Sequence, residues 1–153
     1  MNVLHIRHSD ARTEAALRNV LIFLNCFVSV AALGGGTALT VKPSGSLLGL
    51  NTSILGNSGF SDFRIPGVIL VICVGLVPLA VAYWLWRRKN FALLMSMISS
   101  ALLTGWILSE TLLIRSLLPL HLFFMVIAIL MLLLTIQIGY EDENWHKKYF
   151  EQD

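Results

Sequence analysis

The sequence predicts an all-α polytopic membrane protein, an antiparallel up-down bundle of four transmembrane helices with one extended outer loop. Three observations carry that expectation. Four apolar stretches, near residues 19–40, 66–86, 91–114 and 119–139, fill more than half of the 153-residue chain. Each is long enough to cross a bilayer, which takes roughly 20 apolar residues because lipid offers the backbone no hydrogen-bond partner. The composition is 56% hydrophobic and 13% charged, leaving too little polar sequence for a soluble domain, so residues 1–153 read as one membrane domain. Finally, the connections after the second and third stretches are so short that only hairpins fit, which makes those helices antiparallel neighbours.

Residues 9–18 form a polar helical lead-in, with Ser9 or Asp10 placed to cap its first free amides, and it runs into the first span. Residues 17–31 also resemble a secretory signal core, with Ser29 and Ala31 as small residues before a cleavage point. The long polar region ahead of it and the apolar run on towards residue 41 predict a retained span instead. Within this span Ala32 with Gly36, and Gly34 with Ala38, give small-x-x-x-small spacings that let helices approach closely.

The loop over residues 41–65 carries Pro43, Ser44, Gly45, Gly49, Gly56 and Gly59 but also Leu47, Leu48, Leu50, Ile54 and Leu55. A fully solvated loop has no need of those leucines. They predict a short helix or turn that lies on the outer membrane surface or folds over the mouth of the bundle. The glycosylation pattern Asn51-Thr52-Ser53 is read as coincidental.

The second span opens at Pro66-Gly67 and contains Pro78, which removes a mid-helix hydrogen bond and is expected to bend the helix. Tyr83, Trp84 and Trp86 then meet Arg87, Arg88 and Lys89, the aromatic and basic signature of a membrane interface. Ser96, Ser100 and Thr104 form a small polar stripe on the third span, and Asn25 and Gln137 are membrane-embedded amides suited to interhelical hydrogen bonds.

Of the eleven Lys and Arg residues, eight lie on one side: Arg7, Arg12, Arg18, Arg87, Arg88, Lys89, Lys147 and Lys148. Lys42, Arg64 and Arg115 lie on the other, so the positive-inside rule predicts cytoplasmic termini and an outer loop at 41–65. The net charge of +2 and the scatter of basic residues exclude a nucleic-acid surface. Cys26 and Cys73 fall in different spans at depths roughly 9 Å apart by helix rise, beyond the reach of a disulfide.

Glu110, one turn inside the outer end of the third span, is the ionisable residue of most interest, since a charge within a span is expensive and faces protein, water or a partner. Asp62, Arg64, Arg115 and His121 fall at the same level. Together the five form a candidate outer-face cluster that would tie the loop to the helix ends, bind a polar headgroup or a metal, or relay protons. Trp106 lies one turn from Glu110 on nearly the same face. His5, His8 and His146 sit in polar tails without ligand spacing. No catalytic, metal or cofactor motif is present, and no cofactor is expected.

The outer loop reads Pro43-Ser44-Gly45, Leu48-Gly49-Leu50 and Phe60-Ser61-Asp62-Phe63-Arg64-Ile65-Pro66-Gly67. It resembles the first loop of small uncharacterised bacterial four-helix inner-membrane proteins, with Ser44 where those proteins often carry aspartate. The resemblance covers mainly residues 33–90 and implies architecture and a bacterial inner membrane, with no activity to carry over. Small multidrug exporters would need an acidic residue at the centre of the first span, where Asn25 stands; thiol-oxidising membrane enzymes, tetraspanins and claudins would need cysteines that are absent. The expected function is that of a non-enzymatic bundle interacting with membrane lipid, a membrane-protein partner or a second copy of itself. The alternative is a small transporter or membrane enzyme working through the outer cluster.

Overall fold

A computed structural model describes residues 3–56, 59–114 and 119–150, and no strand occurs among them. Four helical segments are long and apolar enough to span a membrane: Arg12–Val41, Arg64–Trp86, Ala92–Leu112 and Pro119–Tyr140. They match the expected spans to within a few residues, except that helix α1 (Val3–Val41) begins well before the expected capping residues. Ser9 and Asp10 lie inside it and not at its start. No proline or glycine interrupts residues 3–33, so nothing stops the helix from continuing into water.

The first span packs on the second and fourth, and the third packs on the same two, so the first and third stand diagonally across the bundle. The register follows from paired contacts. Ser96 and Thr135 meet at 2.9 Å, and Glu110 and His121 at 3.6 Å. Fourteen residues up the third span and fourteen down the fourth lead from one pair to the other, as antiparallel neighbours require. With four spans, residues 3–11 and 141–150 leave at one end, called here the tail end, and residues 42–56 and 59–63 lie at the other, the loop end.

The closest approach joins the first span to the second. A Cβ on Gly36 would lie 2.8 Å from the Gly67 carbonyl oxygen, and one on Gly67 would lie 2.9 Å from the Gly36 oxygen. Glycine is required at both because backbone meets backbone. Gly75 receives the Leu33 side chain in the same seam. Of the two small-residue pairs expected on the first span, Ala32 with Gly36 is buried here, while Gly34 is open to the surroundings.

The second span combines helix α2 (Arg64–Ile69), a π-helical stretch (Leu70–Leu76) and helix α3 (Val77–Trp86). Pro78 explains the sequence of forms. It has no N–H to offer the preceding turn, and the wider π turn absorbs the mismatch, with the Val77 N–H reaching back to the Ile72 oxygen. The irregularity therefore sits upstream of the proline. Helices α4 (Ala92–Ile114) and α5 (Pro119–Phe150) complete the bundle.

The loop folds over the bundle mouth. Two short 3₁₀ turns, Ser46–Leu48 and Thr52–Leu55, bring Leu55 onto Leu39 and Phe63 in a small core of their own, with Leu50 and Phe60 beside it. Gly45, with φ 77°, presses against Leu50 and Phe63, and the Phe63 N–H donates to the Pro43 carbonyl at 2.9 Å. Leu47 and Leu48 stay exposed. Asn51 caps the second turn by accepting from the Ser53 N–H, a local use of that side chain.

Cys26 and Cys73 are both free and half-buried, as their expected depths require.

Candidate functional site

Of the five expected cluster residues, two come together. Helix α4 delivers Glu110 half-buried near the loop end, and His121, in the first turn of α5, is buried beside it with its Nε2 3.6 Å from Glu110 Oε2. That separation is within ion-pair range and beyond a hydrogen bond. Trp106, one turn below on α4, is half-buried on nearly the same face.

Asp62 and Arg64 do not join. The Asp62 carboxylate turns back on its own chain and accepts the Arg64 N–H at 2.9 Å, closing the turn that starts α2, while the Arg64 side chain is exposed. Arg115 lies outside the described residues. Among those described, no group of three or more His, Cys, Asp or Glu side chains is placed to hold a metal ion. Chemically, a carboxylate beside a buried imidazole can share a proton or hold one polar group.

A second polar feature crosses the centre of the bundle. Ser99 donates to Asn25 Oδ1 at 3.1 Å, linking the diagonal first and third spans, and Asn25 Nδ2 donates to the Leu21 carbonyl at 2.9 Å. The Ser96–Thr135 bond lies one turn nearer the tail end. All four side chains are buried. Asn25 therefore has the interhelical role expected of it. Of the expected stripe, only Ser96 reaches another helix; Ser100 and Thr104 donate to the carbonyls of Ser96 and Ser100, one turn back.

A third feature was counted in the sequence only as charge. At the tail end Arg18, buried, donates to Glu14 at 2.9 Å, and the Arg88 guanidinium lies 4.0 Å from the same carboxylate. The Glu14-x-x-x-Arg18 spacing was the available signal for the first contact; the second joins separate helices and had none.

Comparison with protein-family models, characterised proteins and solved structures finds no match to this chain.

Proposed function

We propose that this integral membrane protein is a non-enzymatic bundle whose third span docks against a transmembrane helix of a partner membrane protein. The observation that carries the reading is an unoccupied glycine face. Gly105 is exposed near mid-span between exposed Ala101 and Ser109, and a side chain placed there would meet nothing within 4 Å. Gly36 and Gly67 are consumed inside the bundle. Facing lipid, a glycine weakens its helix by about 1 kcal/mol relative to alanine and returns no packing; facing another helix, it permits close backbone contact.

A photo-crosslinking residue in place of Leu108, which is 51% exposed beside this face, tests the reading. It should give a discrete protein adduct in native membranes, and Gly105→Leu should abolish that adduct. The same residue in place of Val126, 64% exposed on the fourth span, should label lipid alone. An adduct of twice the chain's mass would identify the partner as a second copy. Lipid labelling alone at both positions would remove the proposal.

The place we propose is a bacterial inner membrane with cytoplasmic termini, supported by the first-loop resemblance and by the eight basic residues assigned to the tail end. With Cys26 and Cys73 replaced, an impermeant thiol reagent should label Ser53→Cys in intact cells and leave Lys89→Cys unlabelled. The reverse pattern would invert the orientation.

The Glu110–His121 contact supports a second reading, in which the bundle is a small transporter or membrane enzyme working at its loop end.

A further inference from the structure

The turn between the second and third spans is closed by backbone hydrogen bonds and carries three exposed cations. Helix α3 ends with the Lys89 N–H on the Trp84 carbonyl and the Arg88 N–H on the Leu85 carbonyl, both at 3.1 Å, the paired bonds of a Schellman closure. The Ala92 N–H then returns to the Lys89 carbonyl at 2.9 Å. The closure needs a left-handed residue, and glycine is the residue that adopts that conformation freely. Here Arg88 takes it, with φ 49°. The strained position is filled by a side chain that glycine would lack.

The surroundings define what that side chain meets. Arg12, Arg87, Arg88 and Lys89 are exposed and Arg18 is buried, with Glu14 the one carboxylate among the described side chains at this end. Glu14 is already held by Arg18 at 2.9 Å, with Arg88 at 4.0 Å, so the described side chains at this end carry a surplus of positive charge. Tyr83, Trp86 and Phe91 flank the turn with exposed rings. Such rings sit at headgroup depth, where the counter-anion at hand is a lipid phosphate, which guanidinium groups bind in fork geometry.

We propose that the Arg87–Lys89 turn is a binding site for the phosphate of an anionic phospholipid, with Glu14 and Arg18 fixing Arg88 in place. The site rests on the membrane-spanning reading and is independent of the partner face on the third span.

The test uses the full chain in uncharged detergent, followed by thermal unfolding with added dioleoylphosphatidylglycerol, dioleoylphosphatidylcholine or inorganic phosphate. The anionic lipid should raise the midpoint; the zwitterionic lipid and inorganic phosphate should not. Arg88→Gly separates strain from binding. Without lipid it should raise the midpoint by about 2–4 °C, because glycine suits the closure, yet it should shrink the gain from anionic lipid to about half or less, since one of the three cations of the turn is lost. Arg87→Gln with Lys89→Gln should remove most of the remainder. An unchanged gain in these variants, or an equal gain from phosphatidylcholine, would overturn the site. The full gain from inorganic phosphate alone would overturn the lipid assignment.

Discussion

Gly36→Ala is expected to destabilise the bundle by about 1–3 kcal/mol, the usual cost of forcing an extra methyl into a packed interface. The new Cβ would sit 2.8 Å from the Gly67 carbonyl oxygen and 3.0 Å from the Val71 backbone nitrogen. Backbone atoms cannot swing aside, so the first and second spans must separate along the seam. Gly75→Ala makes a sharper comparison than any surface control. Its nearest contact, at 2.7 Å, is the Cδ2 tip of Leu33, which can change rotamer, so the loss should be smaller. Gly34→Ala meets nothing within 4 Å and should be neutral or stabilising by up to about 1 kcal/mol through helix propensity. Unfolding of the purified protein in mixed micelles with increasing dodecyl sulfate gives all three values. A loss at Gly36 no larger than at Gly75 would show that the two backbones do not meet as closely as the seam requires.

This ordering marks where the sequence stops being informative. The spacing Ala32-x-x-x-Gly36 is visible in it, as is Gly34-x-x-x-Ala38, and both satisfy the same packing rule. Rotation of the helix about its axis decides which pair is buried, and that rotation is set by Gly67, Val71 and Gly75 on another helix. The same limit applies at the loop end. The spans themselves are legible because each is a local property of about 20 residues read against the thickness of a bilayer. Asp62 looked like a member of a charged cluster because its level could be counted along the chain; its direction could not. A carboxylate two residues before a free backbone N–H has a local partner at almost no entropic cost, and it takes that partner.

The buried polar layer shows the opposite case, in which the residues were legible but their pairing was not. Asn25 and Ser99 lie on diagonal helices, so no hairpin argument could join them. Their bond constrains the bundle in a way that apolar packing does not. In lipid, leucine gains little by choosing one neighbour over another, whereas an amide or hydroxyl left unpaired in the interior is penalised. The Asn25–Ser99 and Ser96–Thr135 bonds therefore fix the rotation of the third span, and that rotation leaves Ala101, Gly105 and Ser109 facing outward. The inner polar layer and the outer glycine face are two consequences of one orientation.

His121→Ala is expected to cost about 2–4 kcal/mol, combining the cavity left by a buried ring with a Glu110 carboxylate deprived of its neighbour. Glu110→Gln should cost less, about 1 kcal/mol, because an amide of nearly the same shape replaces the carboxylate and the group is only half-buried. A double-mutant cycle over the two sites should return a coupling of about 0.5–1.5 kcal/mol, the range of polar pairs between membrane helices. Zero coupling would mean that the 3.6 Å contact contributes nothing to holding the third and fourth spans together. The cycle also separates the two functional readings. If the pair is a structural tie, the Leu108 crosslink to a partner should survive Glu110→Gln in proportion to the folded protein. If the crosslink is lost while the unfolding midpoint holds, the carboxylate takes part in the protein's work at the loop end, and docking through the third span would not by itself account for it.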